Sequence, residues 1–157
     1  MISAEIGTLE TYLRKKRSEG HKLVVPYITG GFEGWTDAIR AAAANGADAI
    51  EIGIPFSDPV MDGPTIQHAS EMALRNGATP ISILHELRSV DVGIPLAVMC
   101  YYNTVHHAGN ERFANSLREA GVCAAIVPDL PLEESGLWCA AADTSGIETV
   151  MLAAPTA

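Results

Sequence analysis

Hydrophobic and polar positions along the chain fall into one repeating pattern. Short apolar runs at 23–28, 47–52, 95–100, 123–127 and 149–153 each have the length of a buried strand. Between them, apolar residues recur at helical spacing over 8–17 (Leu9, Tyr12, Leu13), 35–45, 65–76, 81–90 (Ile81, Leu84, Leu87), 110–120 and 133–143. Thr8 and Asn110 are placed to cap helices, and Gly20, Gly46, Gly77, Gly121 and Gly146 follow helical segments as stop signals. A loop rich in Pro, Gly and Asp occupies 53–63. This alternation predicts an α/β fold with a parallel sheet. No linker or low-complexity segment divides the chain, so a single domain over 1–157 is expected. Two architectures remain open. Five strands complete a doubly wound sheet, whereas a (β/α)8 barrel needs eight strands and about 250 residues. The lack of a Gly-x-Gly-x-x-Gly turn after the first strand, and of a Walker A sequence, disfavours a nucleotide-binding doubly wound fold.

Composition narrows the function classes. With 157 residues, 48% of them hydrophobic and 18% charged, the chain can bury a core. A net charge of −9 argues against a nucleic-acid partner, which would need basic residues to displace phosphate counterions. No apolar run reaches the roughly 18–20 residues of a membrane span. The opening Met-Ile-Ser-Ala-Glu has no basic region leading into an apolar stretch, so a cytoplasmic location is expected. Cys100, Cys123 and Cys139 are odd in number and far apart, which predicts neither disulfides nor a zinc site.

Candidate chemistry begins in the second strand. Side chains alternate faces, so Ile50 and Ile52 share one face, and Ala49, Glu51 and Gly53 the other. In a barrel, Glu51 would point inward near the C-terminal mouth, where such folds keep their active sites. A buried carboxyl has its pKa raised and can donate a proton near neutrality. Periodicity also admits, and by itself favours, a solvated Glu at a frayed strand end or one paired with a Lys. Asp62 stands eleven residues on, in Asp62-Gly63-Pro64-Thr65. That sequence suits a turn opening a helix, with Pro64 near the first helical position. It equally suits a second carboxylate carried over the mouth by the long loop. Adjacent His106 and His107 lack a third ligand at a metal-site spacing, and no metal is expected. His21, His68 and His85 read as surface residues, Trp35 and Trp138 as packing, and Asp129 as a cap for the helix after Pro131.

The run 51–67, Glu51-Ile52-Gly53-Ile54-Pro55-Phe56-Ser57-Asp58-Pro59-Val60-Met61-Asp62-Gly63-Pro64-Thr65-Ile66-Gln67, resembles the signature of the tryptophan synthase α subunit family. Three further segments agree in order: 25–31 (VPYITGG), 99–103 (MCYYN) and 127–134 (VPDLPLEE). The resemblance implies a parallel (β/α)8 TIM barrel, present here as a partial barrel of five strands. It implies retro-aldol cleavage of indole-3-glycerol phosphate to indole and glyceraldehyde 3-phosphate in tryptophan biosynthesis, a carbon–carbon lyase reaction with no cofactor of its own. It implies Glu51 as general acid on the indole ring carbon and Asp62 as holder of the indole N–H. Tyr27 and Tyr101 would line the indole pocket. Phe56, Ser57, Asp58 and Pro59 would belong to a closing loop that touches the β subunit, with the segment after Asn103 near the same interface of an α2β2 complex.

Two departures accompany the resemblance. The first turn reads Gly30-Gly31-Phe32-Glu33-Gly34, where the family more often has Gly-x-Pro. The chain also stops at Ala154-Pro155-Thr156-Ala157, after the fifth strand, whereas the resemblance implies three further strand–helix units carrying the phosphate loops. The expectation is therefore a truncated member, weakly stable and self-associating through open sheet edges. The alternative to an enzyme is an inactive fragment acting at most as a β-subunit-binding module.

Overall fold

Five parallel strands lie side by side in chain order, β1-β2-β3-β4-β5, in a computed structural model that describes residues 7–153. The strands are β1 (Tyr27–Thr29), β2 (Ile50–Gly53), β3 (Leu96–Met99), β4 (Ala124–Ile126) and β5 (Glu148–Val150). The helices are α1 (Thr8–Ser18), α2 (Trp35–Ala44), α3 (Pro64–Arg75), α4 (Pro80–Leu87), α5 (Tyr102–Ala108), α6 (Asn110–Glu119) and α7 (Gly136–Ser145), with a 3-10 turn at Leu132–Glu134. The sequential order decides between the two architectures. A doubly wound sheet reverses direction at a switch point, whereas a barrel adds each strand beside the last.

Register assigns the faces. One layer of matched positions is Tyr27, Glu51, Ala97, Ala124 and Glu148; the next is Ile28, Ile52, Val98, Ala125 and Thr149. The second layer turns toward the helices. Ile50, Ile52, Val98 and Cys100 are fully buried there against Ile39 of α2, Ile83 and Leu87 of α4, Phe113 and Leu117 of α6, and Trp138 of α7. Both tryptophans pack in this core, and Trp35 also donates its indole N–H to Glu86 Oε2 at 3.0 Å. The first layer is the inner face, on which Glu51 stands beside the small side chain of Ala97, with Ala124 next in the register.

Several element boundaries differ from the sequence reading, each for a tertiary reason. The first strand was expected over 23–28, but only Tyr27–Thr29 pairs regularly. Leu23, Val24 and Val25 are 37%, 57% and 45% exposed along the sheet edge, tied in by an exchange between Val24 and Asp48. The fifth strand, expected over 149–153, pairs over Glu148–Val150, and Met151 and Leu152 lie exposed beyond it. Residues 154–157 lie outside the described residues, as do 1–6.

The cap of α1 is not Thr8. Gly7 is the N-cap residue and offers no side chain; the carboxylate of Glu148 accepts the N–H groups of Leu9 and Glu10 at 2.6 and 2.9 Å. Gly7 is suited to this contact, since a Cβ there would come 2.1 Å from Glu148 Cγ. Likewise Asn110 is the first residue of α6, after the N-cap Gly109. Deleting the α1 cap should be measurable. Glu148→Ala strands two helix N–H donors and is expected to cost about 1–2 kcal/mol in a urea titration. A loss within experimental error of zero would show that α1 is held by packing alone.

Candidate active site at the strand C-termini

Glu51 sits on the inner face of β2, opposite Tyr27 of β1 in the register, and is half-buried. Burial raises its carboxyl pKa above the ordinary glutamate value, and the negative charge of Asp62 adds to the effect. A Lys partner would act the other way. All four ion pairs among the described residues lie on the outer surface, at Glu10, Asp37, Glu71 and Glu119, and none involves Glu51 or Asp62. The Lys-paired strand end admitted by the periodicity is therefore not what the chain builds.

Tyr27 lies over the same strand. A Cβ on Gly53 would fall 1.7 Å from its hydroxyl oxygen, so the tyrosine occupies the space that any side chain at 53 would need. Burial pushes the Tyr27 hydroxyl up to about 12, with Asp62 and then Glu51 adding to it and a hydrogen bond with Thr29 opposing. Gly53→Ala should displace Tyr27 from the inner face. The expected loss is about 1–3 kcal/mol of stability, the usual cost of overpacking, with a moved tyrosine ring signal in NMR. An unchanged ring environment would contradict the contact.

Asp62 is brought to this cluster by the loop after β2. Tight turns shape the loop, with Val60 N–H bonded to Asp58 O and Asp62 N–H to Pro59 O. Gln67 of α3 donates its side-chain amide to Asp62 O at 2.8 Å. Tyr101, which follows β3 and is 2% exposed, donates its hydroxyl to Asp62 Oδ2 at 3.1 Å and accepts the Met61 N–H at 2.9 Å. Its ring stacks on Phe56 with centroids 5.2 Å apart. Burial raises the Tyr101 pKa, opposed by the Met61 N–H and reinforced by Asp62. Asp62 thus serves both readings of its sequence: the turn opens α3 with Pro64 in its first turn, and the carboxylate enters the cluster.

The remaining candidates take different positions. Ser57 and Asp58 are exposed on the loop and bond to each other at 2.7 Å, while Pro59 is partly covered. Asn103, which opens the segment expected near the interface, lies in α5, a helix the sequence reading did not find, and is exposed there. Asp129 does not cap the segment after Pro131. It reaches across from the loop after β4 and accepts the Tyr102 N–H at 2.8 Å, capping α5. The signal for that was its place just beyond a strand end, where loops of neighbouring units meet. His21, His68 and His85 are exposed. Among the described residues no three His, Cys, Asp or Glu side chains are grouped to hold a metal, and no described helix is long and apolar enough to cross a membrane. A cleft between α1 and β5 is lined by Leu9, Leu13 and Leu23. Neither Glu51 nor Asp62 lines that cleft, so chemistry locates the site better here than concavity does.

A family model described as tryptophan synthase alpha chain matches residues 13–157. Among curated relatives, the tryptophan synthase alpha chain of Streptomyces coelicolor is 40% identical over 99% of this chain and 59% of its own length. That of Methanopyrus kandleri is 39% identical over 94% of this chain and 55% of its own. Among solved structures, tryptophan synthase subunit alpha from Legionella pneumophila superposes with a TM-score of 0.91 at 32% identity, covering 96% of this chain and 60% of that one. Tryptophan synthase from M. tuberculosis gives 0.92 at 33% identity, covering 98% and 63%. The chain spans somewhat over half the length of the curated relatives it matches.

Proposed function

Since the chain belongs to the tryptophan synthase alpha chain family, we propose that Glu51 and Asp62 are the acid–base pair of a carbon–carbon lyase that cleaves indole-3-glycerol phosphate. The observation carrying this is the inner-face position of Glu51, a carboxyl held toward its protonated form, with Asp62 delivered to the same cluster by a tyrosine hydroxyl. Glu51 gives its proton to the indole ring carbon that bears the glycerol chain. The ring nitrogen becomes electron-poor, and its N–H is held by the anionic Asp62. The bond to the glycerol carbon then breaks, and its electron pair restores the aromatic ring. The neighbouring hydroxyl loses its proton to Glu51, leaving an aldehyde, glyceraldehyde 3-phosphate, and free indole. Proton count and electron count both balance without a cofactor. Tyr27 and Tyr101 supply walls for a flat aromatic ring.

The partner in this reading is a tryptophan synthase β subunit, meeting the mouth where Ser57, Asp58 and Asn103 are exposed. Residues 1–157 act as one domain of partial-barrel form, to which the described residues contribute a single sheet and a single core. The test is indole release from indole-3-glycerol phosphate, with and without the β subunit. It is run on the 157 residues alone and on the same residues joined to the remaining length of the Streptomyces coelicolor relative. The joined chain is expected to release indole and the 157 residues alone little, because binding energy from the substrate's phosphate end drives the reacting end. A joined chain that folds and binds substrate but releases no indole would overturn the assignment.

A further inference from the structure

Tyr101 makes the long-range contacts that fix the loop carrying Asp62. Within the loop, the hydrogen bonds are local turns, together with the Gln67 amide from the adjoining α3. Val60 and Met61 are 79% and 52% exposed and contribute little packing. Across a sequence separation of about forty residues, Tyr101 accepts the Met61 N–H, donates to Asp62 Oδ2 and stacks on Phe56. Both ends of the segment 56–62 thus rest on one side chain. The backbone that carries it is fixed independently of the loop: Tyr101 stands at the N-cap of α5, and that helix is capped by Asp129 from the next loop.

We propose that Tyr101 is a positioning residue that clasps the 56–62 loop and sets the aim of Asp62, beyond forming part of a pocket wall. The hydroxyl takes one carboxylate oxygen, Oδ2, and so directs the other, Oδ1, toward a ligand's N–H. The same hydroxyl ties the loop backbone down at Met61, so loop order and carboxylate orientation are set together. This inference rests on the reading of Asp62 as the group that holds the indole N–H, although the clasp itself can be measured without turnover.

The experiment is amide hydrogen exchange read residue by residue by NMR on the whole 157-residue chain, with the carbon resonance of the Asp62 carboxyl followed alongside. Tyr101→Phe keeps the ring and removes only the hydroxyl. The Met61 amide should then exchange roughly tenfold faster, the usual worth of one hydrogen bond. The Asp62 carboxyl signal should move, while the Gln67 amide, bonded to Gly63 O within α3, keeps its rate. Phe56→Leu keeps the hydroxyl and removes the stack, and should leave the Asp62 signal in place with a smaller effect at Met61. Three results would overturn the clasp: a Met61 amide unprotected in the parent, a Met61 rate within twofold of the parent in Tyr101→Phe, or equal acceleration of Met61 and Gln67 in both variants. Indole release by the joined chain, measured separately, reports the reaction. Its absence together with the Met61 pattern supports the clasp and removes only the lyase reading, and turnover with an indifferent Met61 does the opposite.

Discussion

Glu51→Gln should stop indole release while making the folded chain more stable at neutral pH. The two effects share one cause. The pKa of Glu51 is raised, first by burial and then by Asp62. Its carboxyl therefore keeps a proton in the folded chain at pH values where the unfolded chain has released it. As pH rises above the ordinary value of 4.5, the unfolded state gains by ionising and the folded state does not, so stability falls until pH passes the folded pKa. Glutamine has no proton to release and escapes that fall. Parent and variant should have matching stabilities at pH 4 and below, with a gap opening in the variant's favour as pH rises toward 7; urea titrations across that range read it directly. Turnover moves the other way, because an amide cannot donate the proton. Loss of a general acid is worth roughly 10²–10⁴-fold, read as indole release by the joined chain with β subunit present. A variant within tenfold of its parent, or a stability gap indifferent to pH, would show that Glu51 is an ordinary strand-end carboxylate.

What could be read in the sequence was what depends on near neighbours. Alternation within Ala49-Ile50-Glu51-Ile52-Gly53 put Glu51 on the face away from the helices, and the structure places it there, because a strand's period of two survives any packing arrangement. The family signature over 51–67 named the same residue from a different direction, and the family model and relatives confirm the membership. What could not be read were contacts supplied from far along the chain. The cap of α1 comes from Glu148, 139 residues away, so a local search settled on Thr8. The seven-residue α5 is too short to be stable by its own propensity and is secured by Asp129, which a local reading had assigned elsewhere. Leu23, Val24 and Val25 have the composition of a buried strand, yet burial depends on what lies beside them, and they border the sheet edge. In the site, Glu51 and Asp62 were visible as residue types, whereas the tie that holds the Asp62 loop, from Tyr101 to Phe56, Met61 and Asp62, exists only once β3 is beside β2.

Asp62→Asn should lower turnover strongly and also shift its pH dependence, which separates a charge in the site from a turn residue. The rate loss expected for removing a charge that stabilises a developing cation is on the order of 10²-fold. Stability should change little, because a loop residue contributes little packing and an asparagine oxygen can still accept the Tyr101 hydroxyl. The pH shift has a definite sign. The Asp62 charge raises the pKa values of Glu51, Tyr27 and Tyr101, and the neutral amide removes that contribution from all three. Glu51 must be protonated to act as the acid, so activity falls as pH rises through its pKa. In Asp62→Asn that fall should begin at lower pH than in the parent. Ultraviolet titration of the tyrosines gives a second readout without turnover: Tyr27, held at about 12 in the parent, should ionise at lower pH in the variant. A variant that melts several degrees lower yet keeps its activity and both titrations would mean that Asp62 serves only the turn into α3.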